Sequence, residues 1–155
     1  MRRHLRHLPR HALRHLALLA LSAALATGAA AEPIAPAAIR VIDGDTIAVG
    51  RVHYRLVGFD APEIRHARCA AERSLGLSAR DRLRALLSAG ELDLTEVACT
   101  CPAKTLGTRL CNYGRRCGTL SASGRDVGDI LTAEGLAHPY PYAHHPARAP
   151  GWCRP

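Results

Sequence analysis

VIDGDTIAVGRVHYRLVGFDAPE, residues 41–63, is the stretch that decides how this chain folds. Apolar and other residues alternate on both sides of Gly50-Arg51, which reads as a two-residue hairpin turn of type II′ with glycine first. About that pivot the paired residue numbers sum to 101, so Thr46 faces Arg55, Asp45 faces Leu56 and Asp43 faces Gly58. Four carboxylates (Asp43, Asp45, Asp60, Glu63) and one guanidinium (Arg55) sit in this otherwise strand-like segment. The register sets Arg55 beside Asp45 and returns Asp60 to the strand end that carries Asp43, so the acids gather at one end of a small sheet. Clustered carboxylates need a positive partner. Hard divalent cations take oxygen ligands, and an arginine beside such an ion suits an anionic, phosphate-like group. The expectation is a metal-assisted phosphoryl-transfer site.

Outward from the hairpin, residues 39–58 read as three strands. Residues 70–89 contain no proline and place Leu75, Ala79, Leu83, Leu86 and Leu87 near helical spacing, an amphipathic helix closed by Gly90. Arg73, Arg80, Arg82 and Arg84 are read as its solvated outer face rather than a nucleic-acid face. Residues 91–97 alternate as a fourth strand, 98–112 form a cysteine-bracketed loop, and 116–121 make a fifth strand. Ser123-Gly124 turns the chain into a short helix over 126–134, with Asp129 in its first turns and Gly135 at its end. From His138 the tail is proline-rich and shows neither helical nor strand period; its His144-His145 pair is read as polar surface rather than a metal site. There is no internal repeat and no glycine-rich phosphate loop. This order fits an α+β, mainly β fold: a five-stranded, partly open barrel of the oligonucleotide-binding (OB) type, with one long and one short helix. Such a fold does not by itself establish a function.

Residues 1–31 stand apart. Arg2, Arg3, Arg6, Arg10 and Arg14 precede a Leu/Ala run over 16–26, and Ala29-Ala30-Ala31 supplies a small-residue cleavage pattern. This reads as a secretory signal peptide; the apolar run is shorter than the roughly 20 residues a membrane helix needs. The Arg2-Arg3 pair hints at twin-arginine export, but the residues after it match the general route better. The formal net charge of +8 largely reflects this segment. Five of the 21 Lys and Arg and none of the 13 acids fall in it, which leaves 16 basic against 13 acidic residues, about +3. The basic pI is therefore weak support for nucleic acid. The expected organisation is a signal peptide over 1–31, a loose leader over 32–38, one domain over 39–138, and a tail over 139–155 tethered by Cys153. A secreted or periplasmic location follows, with no stable membrane association after signal removal and a monomeric state.

With one Phe and one Trp, the core must be mostly aliphatic and thin. Six cysteines (Cys69, Cys99, Cys101, Cys111, Cys117, Cys153) in an exported small domain read as disulfides. A four-thiolate zinc site on Cys99, Cys101, Cys111 and Cys117 is the competing reading, disfavoured by the tight C-x-C spacing. The fourth strand runs into Cys99 and the fifth begins at Cys117, so an antiparallel pair sets those two opposite one another. Cys101–Cys111 would then close the loop, leaving Cys69 for Cys153. Cys99–Cys111 with Cys101–Cys117 is the nearest alternative.

Four segments together carry a family resemblance: VIDGDTI (41–47), YRLVGFDAPE (54–63), YGR (113–115) and GRDVGDILTAEGLA (124–137). Over residues 39–138 the chain resembles the thermonuclease, or staphylococcal-nuclease-like, family. The resemblance implies a Ca²⁺-dependent hydrolase that cuts the phosphodiesters of DNA and RNA with low sequence specificity and leaves 3′-phosphates. It implies that Asp45, Asp60 and the backbone carbonyl of Ala61 bind one Ca²⁺, and that Asp43 holds a metal-bound water. Family members often have Thr in the place of Ala61, a change a carbonyl ligand survives. By the same resemblance, Glu63 orients or deprotonates the attacking water, Arg55 and Arg115 grip the scissile phosphate, and Tyr113 lies near a terminal phosphate of the bound nucleotide. The chain departs from the family pattern in a shorter segment after Glu63, in Asn112 where a basic residue is common, in the longer cysteine-bracketed loop, and in lacking a long C-terminal helix. The rival reading is a non-catalytic oligonucleotide-binding module; a stapled extracellular interaction domain leaves the acid cluster without a reason.

Overall fold

Gly50-Arg51 closes the hairpin that the alternation demands. In a computed structural model that describes residues 34–140 and 151–153, β2 (Thr46–Val49) and β3 (Val52–Leu56) pair antiparallel. Thr46 stands opposite Arg55, Ile47 opposite Tyr54, Ala48 opposite His53 and Val49 opposite Val52. Of the two turn residues only Gly50 has a positive φ, 58°, the pattern of a type II′ turn. The expected Asp45–Leu56 opposition survives as a bond from the Leu56 N–H to the Asp45 carbonyl, 2.8 Å. The extrapolation to Asp43 and Gly58 does not hold. Ile42 and Asp43 both donate to the Thr46 carbonyl, folding 42–46 into a tight turn, while Gly58, at φ 95°, swings the chain into a separate strand.

That strand, β4 (Gly58–Asp60), makes four strands where three were expected. Its partner is β8 (His138–Tyr140), with Phe59 opposite Pro139 and Asp60 opposite His138. The start of the tail is therefore a strand, contrary to the sequence reading; three residues centred on a proline are too short to show a period of two. The main sheet runs β1-β2-β3-β6-β5, where β1 is Ile39–Val41, β5 is Leu92–Val97 and β6 is Arg116–Ala122, with β7 (Arg125–Asp126) on β6. All its pairings are antiparallel except β3 with β6. The sheet is curled. Its edge strands β1 and β5 are joined only indirectly, by a bond from Ile34 N–H, ahead of β1, to the Leu92 carbonyl, 3.2 Å.

Two helices cover the sheet. α1 (Ala70–Ser88) buries Glu72, Gly76, Ala79, Leu83, Leu86 and Leu87, a single stripe at three- and four-residue spacing. Leu75, expected in that stripe, is only half-buried, because Gly76 takes the inward position. There α1 meets the 61–64 segment so closely that a Cβ on Gly76 would stand 2.6 Å from the Pro62 carbonyl oxygen. On the outer face Arg80 and Arg84 share Asp81, and Arg82 pairs with Glu134, so three of the four arginines are engaged in exposed ion pairs with two carboxylates. α2 (Val127–Ala133) is capped by Asp126, whose carboxylate accepts from the N–H groups of Gly128 and Asp129.

The core is aliphatic, with Phe59 as its one buried aromatic ring: Ile47, Leu56, Leu83, Leu92, Leu120, Val127 and Leu131 are almost fully enclosed. All six cysteines are paired as the strand ends suggest, Cys99–Cys117, Cys101–Cys111 and Cys69–Cys153. No thiol remains among them for a zinc site. Cys153 brings Trp152 flat against the His138 ring, centroids 3.9 Å apart. The fold is thus α+β and mainly β, stapled by three disulfides. Among the described residues no helix is long and apolar enough to cross a membrane. The signal-peptide reading, the first two residues of the leader and the His144-His145 pair lie outside the described residues.

Candidate active site

Three chain segments meet where the acids were expected. The 42–46 turn carries Asp43 and Asp45, the end of β3 carries Arg55, and β4 with the residues after it carries Asp60, Ala61 and Glu63. Small residues permit the approach: a Cβ on Gly44 would stand 2.6 Å from that of Ala61 and 2.9 Å from that of Ala79. The parallel register sets the start of β6 beside the end of β3, Arg55 opposite Cys117, and from just ahead of β6 the Arg115 side chain reaches the Thr46 hydroxyl.

Arg55 is the hub. Its side chain is 12% exposed, with Nη1 2.5 Å from Asp45 Oδ2 and Nη2 2.8 Å from Asp60 Oδ1. It also donates to the carbonyls of Leu56 and Phe59. One planar fork thus bridges both carboxylates that the resemblance assigns to the ion, one nitrogen to each, a geometry that suits the rigid guanidinium. Asp45 is buried and also accepts from the Ala61 N–H, 3.1 Å, and the Thr46 hydroxyl, 3.0 Å. Thr46 in turn accepts from Arg115 Nη1 at 3.1 Å. Sequence reading did not single out Thr46, although it stands in the D-G-D-T run. Asn112, noted only as a missing basic residue, holds Arg115 through its carbonyl (3.1 Å) and its side-chain oxygen (2.8 Å). The Arg115 guanidinium carbon lies 5.6 Å from the centre of the Tyr113 ring. Asn112, Tyr113 and Gly114 are successive left-handed residues, φ 50°, 59° and 80°, a conformation that costs about 1–2 kcal/mol for each non-glycine.

The acids repel one another. Burial, and after it the Asp45 charge, push the Asp43 carboxyl up to about 6. Asp60 is raised as well, by burial first and then by Asp45, against the opposing pull of Arg55; Glu63 adds to the rise and His138 opposes it. Glu63 itself is exposed. One buried guanidinium therefore serves a cluster of carboxylates that favours more positive charge than it has. The donor set of Asp45 and Asp60, all oxygen, fits a hard divalent ion and not a soft one. It is an open set: among the described residues, the acids do not bring three oxygens within 4.8 Å of one another. The grouping of three donor atoms within that distance is Cys69, Glu72 and Cys153, two sulfurs and one carboxylate, and its sulfurs are joined in a disulfide. Comparison of the chain with family models and with curated proteins finds no match.

Proposed function

We propose that this protein is an exported, Ca²⁺-dependent nuclease of the thermonuclease type, hydrolysing the phosphodiester bonds of DNA and RNA with low sequence specificity and leaving 3′-phosphates. The observation that carries the reading is the linked pair of arginines. Arg55 bridges Asp45 and Asp60, and Arg115 is tied to the same Asp45 through the Thr46 hydroxyl. A purely structural ion pair has no use for the second arginine. The strand order, with its parallel β3–β6 pair and the Ile34–Leu92 bond between the two edges, supports an OB-type barrel as the scaffold. Three disulfides support export.

In this reading Asp45, Asp60 and the Ala61 carbonyl would hold the ion, which would supply fixed positive charge beside an anionic phosphate and make water more acidic. The remaining work belongs to side chains. Arg115, aligned by Asn112 and Thr46, offers a planar fork to two phosphate oxygens and stabilises the charge that grows on them. Arg55 supplies a second guanidinium from within the cluster. Glu63, exposed beside Asp60, receives the proton of the attacking water. Asp43 would hold a water beside the ion, and Tyr113 flanks the terminal phosphate of the nucleotide.

A non-catalytic oligonucleotide-binding module is the rival, because the engagement of Arg55 by two carboxylates also suits a resting scaffold. Digestion of denatured DNA by the exported protein, with millimolar Ca²⁺ against excess chelator, separates the two. Cleavage that depends on Ca²⁺ is expected. Undiminished cleavage in chelator sinks the single-ion mechanism, and tight binding without cleavage under any divalent ion establishes the rival.

A further inference from the structure

The loop between β5 and β6 has features the cleavage site does not use. The large exposed apolar side chains among the described residues all lie in it: Leu106, Leu110 and Tyr113, the last two 83% and 84% exposed. Two disulfides, Cys99–Cys117 and Cys101–Cys111, tie the loop at both ends and across its middle. From Ala98 to Cys117 the chain carries Lys104, Arg109, Arg115 and Arg116 and no acid. Arg116 is paired with Glu96; Lys104 and Arg109 are exposed. The Arg109 stem lies against the backbone of Gly114, its Cγ 3.6 Å from where a Gly114 Cβ would stand. That brings the Arg109 stem against the turn that carries Tyr113 and Arg115. The successive left-handed residues 112–114 hold the Tyr113 ring out into solvent, and such strain persists only where the surroundings over-determine it. Here the disulfides and the Asn112–Arg115 bonds do so.

We propose that this loop is a rigid contact surface for a single-stranded stretch of nucleic acid flanking the cleaved bond. Bases lie on Leu110 and Tyr113, and Arg109 and Lys104 take the adjoining phosphates. The proposal rests on the nuclease reading and extends its substrate beyond one nucleotide. Apolar faces between unpaired cations match a strand in which every unit offers a flat base and an anion. An acidic protein partner would meet the same cations, but the continuity of the loop with Arg115 favours nucleic acid.

The test is fluorescence anisotropy in chelator, where cleavage is absent, with labelled single strands of about 12 and about 3 nucleotides. Wild type is compared with Leu110→Ser, Arg109→Ala and the double variant. The double variant is expected to bind the longer strand about tenfold more weakly and to lose about one unit of the slope of log K on log salt. Its binding of the short strand, its hydrolysis of the short strand with Ca²⁺ and its melting temperature should match wild type. Equal affinity and slope for the longer strand overturn the loop proposal alone. Absence of binding of the longer strand by wild type also overturns the loop proposal, and the nuclease reading falls with it only if neither strand is cleaved when Ca²⁺ is supplied. Self-association of wild type that Leu110→Ser abolishes, with strand affinity unchanged, overturns the proposal in favour of a contact between copies.

Discussion

Replacing Thr46 by valine removes one hydroxyl from the centre of the site and almost no volume. Thr46 is 3% exposed, so water does not simply take the place of the lost group. Its oxygen donates to Asp45 Oδ1 at 3.0 Å and accepts from Arg115 Nη1 at 3.1 Å. A hydrogen bond to a charged group contributes about 1.5–3 kcal/mol, so the two bonds bound the loss at about 6 kcal/mol. Two compensations reduce it. Arg115 is only half-buried and keeps both bonds to Asn112, and Asp45 keeps Arg55 and the Ala61 N–H. The expected cost is about 2 kcal/mol. Urea unfolding of wild type, Thr46→Val, Arg115→Ala and the double variant, disulfides intact, isolates the link. Residues that share a hydrogen bond couple by about 0.5–3 kcal/mol, and about 1 kcal/mol is expected here. If the two substitutions add within about 0.3 kcal/mol, Thr46 does not connect Arg115 to the acid cluster, and the argument from linked arginines fails.

Glu63→Gln removes a proton acceptor from an exposed position, so the fold and Ca²⁺ binding should be retained while turnover falls by about 10² to 10⁴; near wild-type turnover would assign water activation elsewhere. Asp43 and Asp60 are both raised in the folded protein, so the fold binds their protons more tightly than the unfolded chain does. In chelator, their contribution to stability should therefore fall as pH rises from the ordinary aspartate value of 3.8 towards about 6, and Ca²⁺ should remove it; an Asp43→Asn variant with the same pH slope as wild type through this window contradicts the crowding of the acids. Gly76→Ala would press a methyl group on the Pro62 and Glu63 carbonyls. It should destabilise by about 1–3 kcal/mol, and an unchanged unfolding midpoint would show that α1 does not brace the 61–63 segment.

Each part of the site that was legible beforehand depended on a local signal. The alternation about Gly50-Arg51 sets the hairpin register because a two-residue turn leaves one way to pair its flanking strands. The α1 stripe follows from a period of 3.6, and Cys99–Cys117 from cysteines that abut two antiparallel strands. The prolonged register failed at Asp43–Gly58, where a tight turn and a positive φ replace the ladder.

What the residues determined by themselves was the chemistry available: four carboxylates and an arginine brought to one end of a hairpin, an aliphatic core, and cysteines enough to staple it. The tertiary structure decided which atoms meet. Thr46 reaches Arg115 across 69 positions, β8 closes on β4 across more than 75, and Trp152 stacks on His138 beside Asp60. Such contacts have no period in the sequence. They come from burying α1, α2 and the curled sheet against one another, and only the packed chain shows that Arg55 spends its fork on Asp45 and Asp60. That choice is made by low dielectric and close approach, because the buried Asp45 carboxylate and the nearly enclosed Arg55 guanidinium are stable only together, with the partly exposed Asp60 as the second acceptor.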